Sequence, residues 1–351
     1  MHCKNTILKY ESISKQCISL LSTNNNKFKI FSTLCVPEKL SKIFDPYQDK
    51  IEFEMNETLL SDRKNTLEKI KTCDSLICSP YDRIDKELLE TAQNLKFIST
   101  FSIGYEHIDI AECSKRNIRI TTCPYFNSGT MAEFTIGLMI NLSRNITIAA
   151  NKIRGADWKQ FRNDLYWLSG VGLKDSVVGI VGLGNIGMGV ATRLTSFGIK
   201  KIIYHNRKPN LDAEKLGFEY ASFDSLLEKS DFVVCSCSIN KQSEGLFNKE
   251  AFDKMKSNAI FVNVSRGVAV NQEDLYDALK SGKILAAGLD VTTPQPLPAD
   301  HKLYTLDNCL ITPHLAWAET KTTDDRVSVC LQNVLNFYLG TELVSEIKNI
   351  E

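Results

Sequence analysis

A glycine-rich loop, Gly-Leu-Gly-Asn-Ile-Gly at residues 182–187, most constrains the fold of this chain. It follows the β-rich apolar run at 176–181 and precedes a helix-like segment at 188–197, after which a second strand-like run begins at 201. A strand that turns tightly into a helix and then into another strand is the repeating unit of a parallel sheet covered by helices. The loop therefore predicts an α/β fold with a doubly wound parallel sheet.

The strand–helix alternation extends over two lobes. The second lobe is expected to contain strands at 176–181, 201–204, 232–237, 259–264, 286–291 and 309–312. The first lobe is expected to contain strands at 27–36, 75–78, 97–100 and 118–121, a helix opened by Pro37 and another at 86–92. We therefore expect two Rossmann-like α/β lobes.

Two further helices suggest how the lobes are connected. A buried helix predicted at 131–148 leads from the first lobe into the second, and a helix at 326–338 is expected to return to the first. The expected domains are a discontinuous first domain at 27–126 and 319–351, a second domain at 127–318, and an extension at 1–26.

Composition excludes several functional classes. Lys plus Arg and Asp plus Glu both number 42, so no overall field attracts nucleic acid or an anionic membrane. No apolar run approaches the roughly 20 residues that span a bilayer. The eleven cysteines form no Cys-x-x-Cys pair and no zinc-type spacing, which favours free, mostly buried thiols and no metal site.

The first 26 residues differ from the rest in composition. They contain lysines, serines and an Asn-Asn-Asn run, but no arginine. Transit peptides are typically rich in arginine and poor in acidic residues, whereas this segment contains Glu11. A disordered extension of a cytoplasmic protein is expected, with a mitochondrial targeting leader as the alternative.

The context of the glycine-rich loop favours dinucleotide binding. Gly182 allows the tight turn, Gly184 lets the backbone approach a pyrophosphate, and Gly187 lets the helix pack on the strand. Asn185 and Ile186 lie within the loop and are further candidates, and the N-terminus of the helix-like segment that follows is expected to hold the phosphate. Glycines in this pattern also serve ordinary turns, but the flanking strand and helix favour a cofactor site.

The end of the next strand indicates which cofactor is preferred. An NAD enzyme usually has an acidic residue about twenty residues after the loop, where it binds the ribose 2′-hydroxyl. This chain has Asn206, Arg207 and Lys208 there. Because basic and neutral donors can bind a 2′-phosphate, NADP(H) is favoured, with NAD(H) possible if this is a solvated basic turn.

Arg266 and His314 are candidate catalytic residues. Each lies just after a predicted buried strand, where parallel sheets present their functional loops. A guanidinium can hold the carboxylate of a 2-oxo acid and polarise its ketone, and an imidazole can protonate the reduced oxygen. The alternatives are an arginine paired with a structural carboxylate and a histidine that serves the core or a cap.

Five motifs in order resemble the D-isomer-specific 2-hydroxyacid dehydrogenase family, and within it the glyoxylate/hydroxypyruvate reductases. The resemblance spans roughly residues 28–340. Its motifs are Ser-Ile-Gly-Tyr-Glu-His-Ile-Asp at 102–109, the loop at 182–187, Asn-Val-Ser-Arg-Gly at 263–267, Gly-Leu-Asp-Val-Thr-Thr-Pro-Gln-Pro-Leu-Pro at 288–298 and Thr-Pro-His-Leu-Ala-Trp at 312–317.

The resemblance implies that the domain at 27–126 and 319–351 binds the substrate and that the domain at 127–318 binds NAD(P). It also implies an active site in the cleft between the two lobes and a homodimer formed mainly through the cofactor domains. It implies that the backbone N–H groups of Ile103 and Gly104 bind the substrate carboxylate. It also implies that Asp290 lies near the nicotinamide and that Ser238 and Ser265 line the cofactor groove.

Two tryptophans are further candidates for substrate binding. The resemblance implies that Trp167 reaches the active site of the partner subunit; the alternative is an ordinary anchor in the dimer interface. Trp317, near the end of the second lobe, is expected to narrow the substrate pocket together with Trp167. Both residues favour small, polar 2-oxo acids.

Gln295 departs from the family pattern, because most members have Glu at this position. A carboxylate would raise the pKa of the neighbouring imidazole, whereas Gln can orient His314 without adding charge. Formate dehydrogenases related to the family also carry Gln here, so hydride transfer without a proton relay is one alternative. A cofactor-sensing, corepressor-like binding protein is another.

Overall fold

The computed structural model describes residues 27–57, 62–124, 128–154, 166 and 168–347. The chain divides into two compact units, one made of residues 1–126 and 320–351 and the other of residues 127–319. We call them unit 1 and unit 2. The expected extension at 1–26 and Trp167 lie outside the described residues.

Among its described residues, unit 1 contains a five-stranded parallel sheet with the strand order β2-β1-β3-β4-β5. The strands are β1 (Phe28–Ser32), β2 (Ile51–Met55), β3 (Ser75–Cys78), β4 (Phe97–Thr100) and β5 (Arg119–Thr121). The helices are α1 (Glu38–Ser41), α2 (Arg63–Lys69), α3 (Lys86–Thr91), α4 (Ile110–Lys115) and, from the end of the chain, α12 (Thr320–Leu339). The apolar sides of β1, β3 and β4 and of α3 form its core.

Among the described residues of unit 2, seven parallel strands follow the order β12-β11-β10-β9-β6-β7-β8. They are β6 (Val177–Val181), β7 (Lys201–His205), β8 (Glu219–Tyr220), β9 (Phe232–Cys235), β10 (Ile260–Asn263), β11 (Ala286–Leu289) and β12 (Cys309–Ile311). The helices are α5 (Ser128–Ser143), α6 (Ile146–Arg154), α7 (Asn185–Leu194), α8 (Leu211–Lys215), α9 (Phe223–Lys229), α10 (Lys249–Lys254) and α11 (Gln272–Lys280).

The central strands of unit 2 are buried on both faces and form the middle of its core. Every residue of β9, β10 and β11 is buried, so helices cover both faces of the sheet. Two separate apolar clusters fill the two faces, one including α5 and α7 and the other including α9, α10 and α11. The predicted α/β class with two doubly wound parallel sheets is confirmed.

The predicted helix at 131–148 is wrong in its extent. α5 ends at Ser143, and Asn145 has φ +54°, which interrupts the helix before α6 begins at Ile146. Asn tolerates left-handed backbone better than most residues, and Asn145 donates from its side chain to the carbonyl of Leu168 at 3.1 Å. The apolar spacing carries on through the break, so periodicity alone did not reveal it.

Other differences concern strand number and element ends. Two strands were not predicted from the sequence: β2, whose Ile-Glu-Phe-Glu-Met segment shows the alternation of a half-buried strand, and the two-residue edge strand β8. The first strand ends at Ser32 rather than at residue 36, and α12 begins at Thr320 rather than at residue 326. The described cysteines are all free thiols and most are buried, as expected.

Candidate active site

The glycine-rich loop lies at the point where the sheet of unit 2 changes direction, between β6 and β9. Gly182 has φ +94°, and a Cβ there would lie 2.4 Å from the backbone of Cys237. A Cβ on Gly187 would lie 2.5 Å from the carbonyl oxygen of Gly182. The first and third glycines are therefore required by the fold, whatever the loop binds.

Gly184 differs from its two neighbours, because a Cβ there would meet nothing within 4 Å. This residue is exposed and caps α7, a helix of ten residues whose first members are Asn185 and Ile186. The absence of a side chain thus leaves backbone open to solvent at a helix N-terminus. This is the cradle that a pyrophosphate needs, so the loop fits a dinucleotide.

Asn206 also has a structural role, because its side chain is bonded to the backbone of the glycine-rich loop. Its Oδ1 accepts a hydrogen bond from the N–H of Leu183 at 2.7 Å, and its Nδ2 donates to the carbonyl of Leu183 at 3.4 Å. Both ends of the amide thus hold the glycine-rich loop against the end of β7. Arg207 and Lys208 follow as exposed residues.

The candidate catalytic residues follow three adjacent strands of the same sheet. Arg266 lies after β10, Asp290 and Gln295 lie after β11, and His314 lies after β12. Because parallel strands present their carboxyl ends at one edge, the three loops share that edge with the loop at 182–187.

Asp290 holds the segment that carries His314. It is 1% exposed, and its carboxylate accepts from the hydroxyl of Thr312 at 2.6 Å and from the N–H groups of Leu315 at 2.7 Å and Ala316 at 2.9 Å. The N–H of His314 also donates to the carbonyl of Asp290 at 2.9 Å. These bonds hold His314 at φ +57°, a conformation that few residues adopt without support.

Gln295 lies beside the imidazole of His314. Gln295 Nε2 lies 2.9 Å from His314 Nδ1. The amide can donate to an unprotonated Nδ1 or, after a half-turn, accept from a protonated one. Gln295 can therefore orient the ring whether or not Nδ1 carries a proton, whereas an ionised carboxylate, which only accepts, can bond only a protonated Nδ1.

Arg266 is exposed, and the turn on which it lies is held by Asn263, the last residue of β10. Its Nη1 donates to the carbonyl of Ser265 at 3.0 Å, and its own carbonyl accepts from Asn263 Nδ2 at 2.9 Å. Ser265 is buried, with its N–H and hydroxyl both donating to Asn263 Oδ1. Asn263 thereby shapes the turn from which the Arg266 side chain extends.

The remaining sequence candidates are placed as follows. Ser238 is exposed after β9, and Trp317 is half-buried against the core of unit 2. Ile103 and Gly104 are half-buried in the loop after β4 of unit 1. Among the residues that the structure describes, no cluster of His, Cys, Asp or Glu is suited to a metal ion. Within the same residues no helix is both long and apolar enough to cross a membrane.

The sequence and the fold are similar to those of known proteins. The family model for the D-isomer specific 2-hydroxyacid dehydrogenase NAD binding domain matches residues 136–316. The human glyoxylate reductase/hydroxypyruvate reductase is 42% identical over 275 residues, which cover 78% of this chain and 83% of that protein. A glyoxylate reductase of Thermofilum pendens is 37% identical over 314 residues, covering 89% and 92%.

A solved structure from Thermus thermophilus superimposes with a TM-score of 0.84 at 32% identity, covering 91% of this chain and all of that one. Together with the matched motifs, these similarities establish that the chain belongs to the D-isomer-specific 2-hydroxyacid dehydrogenase family. It is accordingly an oxidoreductase that uses a nicotinamide cofactor.

Proposed function

We propose that this protein reduces small 2-oxo acids, converting hydroxypyruvate to D-glycerate and glyoxylate to glycolate, with NADPH as the preferred cofactor. The observation that carries the proposal is the hydrogen bond of 2.9 Å between Gln295 and His314, whose segment the buried Asp290 holds at the same edge of the sheet as the glycine-rich loop. Relatives named glyoxylate reductase or hydroxypyruvate reductase support this substrate class.

When bound, the nicotinamide supplies the hydride to the carbonyl carbon. Arg266 pairs with the carboxylate of the substrate and polarises its ketone, aided by the N–H groups of Ile103 and Gly104. Because Nδ1 of His314 faces Gln295, we assign proton delivery to Nε2. By resemblance, Trp167 and Trp317 limit the size of the substrate.

Arg207 and Lys208 are proposed to bind the 2′-phosphate of NADPH by charge-assisted hydrogen bonds. Asn206 contributes by holding Leu183 and by carrying no negative charge toward that phosphate. Asp290, Ser238 and Ser265 are assigned to the cofactor groove by resemblance. The open backbone at Gly184 is the contact for the pyrophosphate.

The deciding experiment compares kcat/KM for hydroxypyruvate with NADPH and with NADH. We expect efficient reduction that prefers NADPH, and an Arg207→Ala, Lys208→Ala double variant should lose that preference while retaining activity with NADH. Lys215→Ala is the matched control, because this exposed lysine lies in α8 and pairs with Asp212 at 2.8 Å. Tight cofactor binding without reduction of any 2-oxo acid would instead favour formate oxidation or a binding function.

We also propose a cytoplasmic homodimer formed mainly through unit 2. Sedimentation of the purified protein at several concentrations tests the assembly. A monomer at all concentrations would contradict it, and imaging the full-length chain in cells tests its location.

A further inference from the structure

In unit 1, hydrogen bonds connect three side chains in series, from the half-buried imidazole of His107 through Thr100 to Ser102 in the loop after β4. His107 Nε2 lies 3.0 Å from Thr100 Oγ1, and Thr100 Oγ1 lies 2.8 Å from Ser102 Oγ. Ser102 Oγ then donates to the carbonyl of Gly104 at 2.6 Å. Thr100 is fully buried and Ser102 is buried, so these groups depend on one another for hydrogen bonds.

Which group donates in each of these hydrogen bonds follows from the number of protons available. A carbonyl only accepts, so the single hydroxyl proton of Ser102 goes to Gly104. Ser102 must then accept from Thr100, and Thr100, having given up its only hydroxyl proton, must accept from His107. The sequence of bonds therefore requires a proton on Nε2 of His107.

The surroundings of His107 favour a neutral ring with that proton. Burial lowers the pKa of His107, while the charges of Asp82 and Glu106 act in the opposite direction. Cys78 Sγ lies 4.0 Å from the same Nε2, and burial raises the pKa of this thiol well above its usual range. The neighbouring cysteine is thus neutral.

The loop itself is anchored at both ends by the backbone. Before it, the N–H of Phe101 donates to the carbonyl of Cys78 at 2.8 Å. After it, the N–H of Ile84 donates to the carbonyl of His107 at 2.9 Å. Gly104 lies between these anchors, and because glycine has wide backbone freedom, a bond to its carbonyl has a large effect on its orientation.

We propose that His107 is a positioning residue for the substrate carboxylate, acting through Thr100 and Ser102 on the carbonyl of Gly104. The bond from Ser102 to that carbonyl fixes the backbone of the loop that carries the N–H groups of Ile103 and Gly104. N–H groups fixed before the ligand arrives bind an anion without further ordering, which lowers the entropic cost of binding. The inference rests on the proposed function, because that function assigns carboxylate binding to these N–H groups.

The first test does not depend on activity. We would record the ¹⁵N resonances of the His107 ring in the full-length protein, assigned by comparison with a His107→Gln variant. The Nε2-protonated tautomer is expected, and its population should fall in Thr100→Val, which removes the acceptor without changing the shape of the side chain. A dominant Nδ1-protonated tautomer in the unmodified protein would overturn the chain of bonds.

The second test measures reduction of hydroxypyruvate by the same variants. We expect KM in Thr100→Val to rise by about three- to tenfold, the typical effect of one hydrogen bond, with a smaller change in kcat. The Kd for NADPH should not change. Thr100→Ser, which keeps the hydroxyl, should restore the original KM.

Thr121→Val is the matched control. Thr121 is equally buried in the neighbouring strand β5, but its hydroxyl donates to Ser99 at 3.1 Å, outside the chain of bonds. Equal increases in KM for Thr100→Val and Thr121→Val would show a general packing effect and overturn the proposal, as would an unchanged KM in Thr100→Val. If the unmodified protein reduces no 2-oxo acid, the proposed function fails, whereas the tautomer measurement still decides whether the chain of bonds exists.

Discussion

The two units place different residues at the same point of the same kind of sheet. In unit 1 the sheet changes direction between β1 and β3, and in unit 2 it changes direction between β6 and β9. After β6 the chain turns through glycines and exposes the backbone at Gly184. After β1 the corresponding place contains Thr33, whose hydroxyl donates to Asp82 Oδ2 at 2.5 Å.

Ser79, which follows β3, completes the closure in unit 1. Its N–H donates to Asp82 Oδ2 at 2.7 Å, and its hydroxyl donates to the same oxygen at 2.8 Å. Doubly wound sheets commonly bind ligands at this crevice. The same fold thus has two such positions, and they differ in the residues after the first strand: the backbone at Gly184 is open in unit 2, whereas the hydroxyl of Thr33 is bonded to Asp82 in unit 1.

The largest expected effect tests whether the residues that follow the strands of unit 2 carry out the reaction. His314→Asn should lower kcat for 2-oxo acid reduction by about 10²- to 10⁴-fold, because general acid catalysis typically contributes that much. Asn tolerates the left-handed backbone at this position but cannot deliver a proton.

His301→Asn is the control for that variant. His301 also belongs to unit 2, where its Nδ1 accepts from the N–H of Leu303 at 3.2 Å. Its kcat should match that of the unmodified protein, and the NADPH affinity of both variants should be unchanged. A fully active His314→Asn would remove the proton donor from the mechanism.

The second effect tests whether open backbone distinguishes the crevice of unit 2. Gly184→Ala should weaken NADPH binding by about ten- to a hundredfold, because a steric intrusion of this kind costs about 1–3 kcal/mol. Thermal stability should not fall, since the added Cβ meets nothing within 4 Å. Gly137→Ala is the control, because Gly137 is equally unobstructed but lies in α5. Unaltered NADPH binding by Gly184→Ala would show that the open backbone at Gly184 does not distinguish the crevice of unit 2.

The third effect tests the closed crevice of unit 1. Asp82→Ala removes the acceptor of the Ser79 N–H and leaves the buried hydroxyl of Thr33 only its longer bond of 3.4 Å to the carbonyl of Ile77. The free energy of unfolding should therefore fall by about 1–3 kcal/mol. Urea denaturation measures this change, and NADPH titration should show that cofactor affinity is retained. Asp49→Ala, at an exposed position, should have little effect on either. Loss of cofactor affinity in Asp82→Ala would mean that the two crevices are not independent.

Sequence reasoning predicted the parts of this molecule that depend on local pattern. Buried strands such as β9 and β10 are short apolar runs, and the roles of Gly182 and Gly187 follow from where a strand turns into a helix. The break at Asn145 was missed because the apolar spacing continues through it. β8 was missed because two exposed residues carry no periodicity.

The bonds that support the site could not be predicted in the same way. Asp290 binds N–H groups 25 and 26 residues away, and Asn206 binds Leu183 across 23 residues. Such partners depend on strand order and register, which hydrophobic periodicity does not specify. The family motif included Asp290, but its hydrogen bonds to the His314 segment became evident only from the three-dimensional arrangement.

The smallest expected effect concerns the pH dependence of reduction. In Gln295→Glu a carboxylate replaces an amide 2.9 Å from His314 Nδ1. A negative charge stabilises the imidazolium, so the pKa of His314 should rise and the loss of reduction at high pH should move upward. Because Gln295 is exposed, solvent screening should limit the shift to about one pH unit or less.

The pH profile of kcat/KM measures this shift, with Gln242→Glu as a control for an added charge elsewhere in unit 2. The low-pH limb for oxidation of the 2-hydroxy acid should also move upward, because oxidation requires an unprotonated His314 and would begin only at higher pH. A profile that moves for oxidation and reduction together would support His314 as the shared proton carrier. If neither limb moves, Gln295 and His314 are not coupled during turnover, and the 2.9 Å contact serves only to orient the resting ring.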